Sequence, residues 1–507
     1  MLATVTTFAV YGIDSKPVTV EVDIRTRGLE AFTIVGLPDR AVRESRERVR
    51  AALKNSNFEF PGGRITVNLA PADLRKAGPA FDLALAVGIL SASGQIPEGS
   101  TAGCALCGEV SLTGALRPVR GALAIALGAR SAGIGCLLVP PDIAPEAALI
   151  DDVEVLAMPD LEHIGAYFRG ESNPTPALPA PPSDPSDSAW ALDLADVRGQ
   201  QDAKRALEIA AAGGHNVLMI GPPGAGKTML ARRVPSLLPP PSFDEAIEIT
   251  RIRSVAGMGD GRLASERPFR APHHTISPSG LVGGGPTPKP GEITLAHRGV
   301  LFMDELPEFP RHSLEALRQP LEEGRVWVTR AQRTLVFPSD FMLVAAANEC
   351  PCARPDGSCR CNEIDRLRYA RKLSGPLLDR IDLVCHVPPA APLEIVGVGT
   401  GAESSGAVRG RVIAARERQA HRLGLDGVSC NGSMDGRLTR RHVHPASEAR
   451  DLLLDGHRRM SLTARGHDRV LRIARTIADL EGSEELRTAH VAEALGYRLG
   501  AVAGLAA

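Results

Sequence analysis

Aromatic residues are scarce in this 507-residue chain, at 4% of the total, which disfavours base-stacking platforms as its main binding device. Net charge is nearly absent as well, at -1. Any contact with a polyanion must therefore come from a local patch rather than a basic coat. No apolar run is long enough to span a bilayer, Phe81 to Leu90 being among the longest, and no basic-then-apolar leader opens the chain. A cytoplasmic protein with no membrane partner is expected. No repeat of solenoid period is found. The remaining composition, 44% hydrophobic and 23% charged, suits a soluble globular protein, and the length allows about three domains.

What is present is a phosphate-binding signature. Gly221-Pro222-Pro223-Gly224-Ala225-Gly226-Lys227-Thr228 follows the run Asn216 to Ile220 and fits G-x-x-x-x-G-K-[ST] at every fixed position. Glycines let such a turn close around a phosphate, its N–H groups point inward, and the next helix offers its positive end. Lys227 is expected on the β- and γ-phosphates of ATP, and Thr228 on Mg²⁺. The run Gly299 to Met303 ends in Asp304 and Glu305, as a central parallel strand would. Asp304 is then placed for the Mg²⁺ shell and Glu305 for polarising the attacking water.

A third apolar run, Phe341 to Ala347, ends at Asn348, where a polar side chain can contact the γ-phosphate or its water. This resembles the sensor 1 position of AAA+ ATPases. Ser374 to Leu383 is similar to the arginine-finger segment of the Mg-chelatase and MCM branch of that superfamily, and the resemblance implies that Arg380 reaches the ATP of a neighbouring subunit in a ring. Ser461-Leu462-Thr463-Ala464-Arg465 opens a segment in which Val470, Ile473, Ala474 and Ile477 keep helical spacing. By resemblance to the same branch, Arg465 is the sensor 2 candidate. A surface helix residue is the alternative for each arginine.

Prolines 174, 176, 179, 181, 182 and 185 mark a linker. The expected division is an N-terminal domain over 1–168, a Pro-rich linker over 169–188, an ATPase core of αβα type over 189–390, and a helical lid over 391–507, with a weaker break at Gly397 to Gly406. Val18 to Ile24 and Arg64 to Leu69 alternate as strands, and Asp39 to Asn55 reads as a helix, so the first domain is α+β. Lys76 to Phe81 and Gly108 to Gly114 resemble the two motif regions of the Lon protease domain, a fold of the ribosomal S5 domain 2 type. That family uses a serine activated by a lysine. Ala80 and Leu123 stand at those positions, so a non-peptidase domain that builds the ring or holds a protein partner is expected.

Cys350, Cys352, Cys359 and Cys361 form two C-x-C pairs directly after the sensor strand. Four thiolates so close suit a structural Zn²⁺, the alternative being four free thiols. Cys104 and Cys107 lie in a strand-like segment without a second pair, which favours buried free thiols. His273 and His274, adjacent on an extended chain, should point apart.

A long stretch between the phosphate loop and Asp304 carries Arg267 to His274 and Gly283 to Gly285, the kind of mobile insertion through which motors touch substrate. A second, Gly324 to Val336, reads as a hairpin with a basic turn, similar in position to the hairpin before sensor 1 in the Mg-chelatase and MCM branch. In a ring, Arg330 and Arg333 would face the pore and track DNA phosphates; the alternative is a solvated hairpin. Together with Leu306-Pro307-Glu308-Phe309 and the helix Ala464 to Leu480, these features resemble the ComM/YifB family along nearly the whole chain. The resemblance implies a homohexameric ATP-driven DNA motor, a helicase or translocase active in branch migration during recombination or natural transformation. Departures are Glu349 and Ala353 beside the first cysteines, where proline and glycine are expected. The leading alternative is an Mg-chelatase-type ATPase that remodels a partner protein; an ATP-dependent protease would need a nucleophile the first domain lacks.

Overall fold

The alternation from Val18 to Ile24 becomes a strand sealed on one side, with Val18, Val20, Val22 and Ile24 all buried. The computed structural model describes residues 1–26, 29–181, 192–285, 288–330, 333–352, 354, 359–373, 375–389, 403–460 and 462–503. They gather into two units, one of Met1–Ser183 with Ala246–Ala264, the other of Asp184–Glu245 with Ser265–Ala507.

The first unit is built on strands β1 (Leu2–Tyr11), β2 (Asp14–Arg25), β3 (Ala31–Val35), β4 (Arg64–Ala70), β5 (Cys104–Leu106), β6 (Cys136–Val139) and β7 (Glu154–Ala157). They form one seven-stranded sheet in the order β3-β4-β2-β1-β5-β6-β7. Helix α1 (Arg40–Asn55) begins where Asp39 accepts the Val42 N–H at 2.8 Å, a side-chain cap that satisfies one of the free first-turn donors. Helix α2 (Asp82–Ala92) is apolar all round and buried, as such a helix must be. It lies so close to β2 that a Cβ on Gly88 would meet Val22 Cγ2 at 2.7 Å. At its start the buried carboxylate of Asp82 takes Arg48 Nε at 2.8 Å, tying α1 to α2. Losing Arg48 would strand the buried Asp82 carboxylate at a cost of about 3–5 kcal/mol.

The Ala80 carbonyl accepts the Gly108 N–H at 3.2 Å. Leu123 is fully buried, its N–H on Glu146 Oε1 at 3.0 Å. Cys107 is sealed against Thr7 at 3.3 Å, and burial pushes its thiol up to about 11. The helix Phe243–Ala256 enters this unit from Ala246 onward, where Arg251 pairs with Asp14 at 2.9 Å.

The second unit has a five-stranded parallel sheet of β8 (Val217–Ile220), β9 (Phe269–Arg270), β10 (Val300–Met303), β13 (Met342–Ala347) and β14 (Leu383–His386), in the order β9-β10-β13-β8-β14. Strands β11 (Arg325–Arg330) and β12 (Arg333–Pro338) form a separate hairpin. Strands β8, β10 and β13 are buried along their whole length, which accounts for their unbroken apolar runs. Because every strand of the sheet runs the same way, the residues that follow β8, β10 and β13 emerge at one edge.

Asn216 ties the other edge together. Its N–H reaches Asp382 Oδ2 at 3.1 Å, its Nδ2 the Arg380 carbonyl at 3.0 Å, and its Oδ1 takes Leu343 N at 2.8 Å. Burial opposes ionisation of Asp382, but His215, Arg472 and Arg469 outweigh it and hold the carboxyl down at about 2.

Helices Ser405–Leu423, Gly436–His442, Ser447–Met460, Ala464–Glu481 and Thr488–Ala503 form the C-terminal region. In Ala464–Glu481 the residues Val470, Ile473, Ala474 and Ile477 are all fully buried. The first of these helices is capped by Ser404. The 391 boundary, most of the Gly397 to Gly406 break, linker residues 182–188, Ala353, Ser374 and Ser461 lie outside the described residues. Among the described residues no helix is long and apolar enough to cross a membrane.

Candidate active site

The phosphate loop joins β8 to helix α3 (Lys227–Ala231). It begins in close quarters: Gly221 N donates to Ala347 O at 3.2 Å, and a Cβ at Gly221 would stand 2.1 Å from Val387 O. Only glycine fits there. Lys227 Nζ curls back to Gly221 O at 2.7 Å, Pro222 O at 2.9 Å and Asn348 Oδ1 at 3.1 Å. Burial lowers the ammonium below its ordinary range, against the pull of Asp304, Glu349 and Glu305. A group in that state gains much from an incoming anion.

Thr228 Oγ1 donates to Asp304 Oδ2 at 2.7 Å. The hydroxyl and carboxylate thus sit side by side as hard oxygen donors, the set that Mg²⁺ accepts. Glu305 follows with φ 51, a left-handed conformation costing about 1–2 kcal/mol for an L-residue, and strain of this kind gathers at functional sites. Its N–H returns to Asp304 Oδ1 at 3.0 Å, and its carboxylate lies half-exposed with His274 Nδ1 at 3.6 Å. The two adjacent histidines do not point apart: a turn brings the rings of His273 and His274 to 4.1 Å, since the segment is not extended there. Lys227, Thr228, Asp304, Glu305 and Asn348 thus share one edge of the sheet.

Arg380 and Arg465 are brought together elsewhere. The Arg380 carbonyl is held by Asn216, at the opposite end of β8 from the phosphate loop. Its guanidinium reaches Glu322, in the helix Arg318–Glu323 between β10 and β11, at 2.6 Å, and Arg465 reaches the same carboxylate at 3.0 Å. Hydrogen bonding from Arg380, with the charge of Arg465, keeps the Glu322 carboxyl below its ordinary range. Glu322 and Asn216 carry no motif, and spacing alone did not reveal them.

The four cysteine sulfurs lie within 4.8 Å of one another. Cys350 to Cys352 is 3.2 Å, Cys352 to Cys359 3.7 Å and Cys359 to Cys350 3.6 Å. Tetrahedral zinc–thiolate bonds would set sulfurs about 3.8 Å apart, so the cluster fits that ion. Hydrogen bonding from Cys350 pulls the Cys352 thiol down to about 6.

In the hairpin, Val326, Val328, Leu335 and Phe337 turn to a buried side while Trp327 and Val336 are exposed. The register makes Arg330 and Arg333 the last pair before the turn. Turn residues 331–332 and the side chains of Arg330 and Arg333 lie outside the described residues.

Family models for magnesium chelatase match the chain in three parts: subunit ChlI of Mg-chelatase over residues 20–143, magnesium chelatase subunit ChlI over 193–395, and the ChlI C-terminal region over 402–498. The uncharacterized protein YifB of Escherichia coli K12 is 43% identical over 500 residues, covering 98% of this chain and 97% of its own. Competence protein ComM of Haemophilus influenzae is 42% identical over 505 residues, covering 98% and 97%. Lon protease 2 of Bacillus subtilis is 30% identical over 193 residues, covering 33% of this chain and 35% of its own.

Proposed function

Since the chain belongs to the ComM/YifB family of magnesium-chelatase-like proteins, we propose that it is an ATP-hydrolysing AAA+ motor that works as a homohexameric ring on DNA, as a translocase or in branch migration. ATP is the substrate: the loop N–H groups and Lys227 take its phosphates, Asn348 holds the γ-phosphate or its water, and Glu305 orients the attacking water. Thr228 and Asp304 would hold Mg²⁺, which neutralises charge on the β- and γ-oxygens when bound. The observation that carries the ring is that the Arg380 backbone lies at the opposite end of β8 from the phosphate loop, its guanidinium turned to Glu322. With about 3.3 Å per residue along a strand, a finger at that end serves a neighbour's ATP rather than its own.

DNA is favoured as substrate by the arginine pair closing the β11–β12 hairpin. Replacing Arg330 and Arg333 by alanine is expected to remove most DNA stimulation of ATP hydrolysis. The slope of log affinity against log salt should fall by about 1 per arginine. Titration of forked and four-way DNA at several salt concentrations checks both; unchanged affinity and stimulation would favour remodelling of a partner protein instead.

The cysteine cluster holds a structural Zn²⁺ in this reading. Protein purified without chelator should carry about one zinc per chain, the capacity of one four-thiolate site. Replacing Cys350 and Cys359 together by serine should remove it and lower the unfolding midpoint, because metal binding contributes to folding. Metal analysis that finds no zinc would end the idea. The first unit, with Ala80 and buried Leu123 where a serine and a lysine would be needed, builds the ring or binds a protein in the cytoplasm and cleaves no peptide.

A further inference from the structure

Arg380 and Arg465 come from distant parts of the chain, yet they occupy the two oxygens of a single carboxylate. Arg380 Nη2 lies 2.6 Å from Glu322 Oε2, and Arg465 Nη2 lies 3.0 Å from Glu322 Oε1. Arg380 is fixed at a second point, its Nε donating to the Arg318 carbonyl at 3.2 Å. Its side chain is only 14% exposed, whereas that of Arg465 is 63% exposed and Glu322 is 48% exposed. The cluster therefore opens to solvent on the carboxylate and Arg465 side.

Two guanidiniums share one carboxylate, and Arg465, whose side chain is 63% exposed, keeps N–H donors beyond the one it gives to Glu322. Such a group is a receptor for a further anion, and the planar fork of each arginine suits phosphate oxygens. Ordering both side chains beforehand also removes much of the rotamer freedom they would otherwise lose on meeting a ligand. The adjacent acid does not share the task. Glu323 is taken by Gln319 and by Trp327 Nε1, at 3.1 Å and 3.2 Å.

We propose that Glu322 is a positioning residue that holds Arg380 and Arg465 as one guanidinium pair for a nucleotide phosphate of the adjoining subunit. The inference rests on the ring reading above. Glu322 touches no nucleotide itself; it acts through the arginines, and it couples the helix bearing Arg465 to the segment bearing Arg380. A phosphate that draws the pair forward loosens both from Glu322 together.

The test is steady-state ATP hydrolysis by the full-length protein, with assembly checked by gel filtration and folding by thermal unfolding. Glu322→Gln should lower kcat about tenfold with KM little changed, a fraction of the roughly 1000-fold or more that a lost arginine finger costs. Glu323→Gln, the same charge change one residue along, should keep the parental kcat. In an Arg380→Ala background Glu322→Gln should add no further loss, because groups acting as a unit are not additive. Glu322→Asp, which keeps the charge, should recover part of the lost activity. Parental kcat in Glu322→Gln, or losses that multiply in the double variant, would overturn the pairing. If Arg380→Ala itself leaves kcat unaltered, the ring reading fails and the pairing falls with it. If Arg380→Ala lowers kcat while Glu322→Gln does not, only the pairing fails.

Discussion

Glu305→Gln is expected to keep ATP bound while turnover falls about 100- to 10,000-fold, the usual contribution of a group that handles the proton of the attacking nucleophile. The side chain is half-exposed and stands beside Asp304 without replacing it, so the change removes a group needed at the chemical step and spares the loop. Lys227→Ala should behave differently. Its ammonium is buried among three oxygen acceptors, and losing one charged contact to phosphate should weaken ATP binding about 10- to 100-fold. Equilibrium binding of ATP and single-turnover hydrolysis, measured on both variants, separate the two effects. Equal loss of binding in both would refute the division of roles.

Arg380→Ala carries the second large effect, a fall in kcat of about 1000-fold or more if the guanidinium serves as a finger. Location in trans is tested by mixing. Arg380→Ala subunits have intact loops, and Glu305→Gln subunits have intact fingers, so a mixed ring contains some sites complete in both parts. Activity should rise above that of either variant alone and peak at intermediate ratios, once gel filtration has shown that both assemble. No recovery at any ratio would place Arg380 in its own subunit's site and remove the case for the ring.

The phosphate loop and the two acids were legible because each set is contiguous and follows an apolar strand, so a short window of sequence carries the whole element. Asn348 was legible for the same reason. The helix from Ala464 showed itself through the spacing of Val470, Ile473, Ala474 and Ile477, which the structure buries. Glu322 was not legible. In sequence it is one of two adjacent acids before a hairpin, and only long-range packing brings two arginines to one of them. Asn216 was hidden in the same way, being the first residue of an apolar run, with its polar side chain spent on the Arg380 carbonyl and on Leu343 of β13. His274 was misread because an extended chain was assumed where a turn brings its ring against that of His273. The allegiance of Ala246–Ala264 to the first unit was likewise invisible, since helical periodicity says that a face is buried and not against what.

The distance between the two ends of β8 has a consequence for how such a protein would be handled at the bench. If each complete site straddles two chains, the number of sites follows mass action between subunits and not the amount of chain in the tube. Dilution then lowers hydrolysis per mole of chain while leaving the loop's own grip on ATP in place, and specific activity becomes a measure of association.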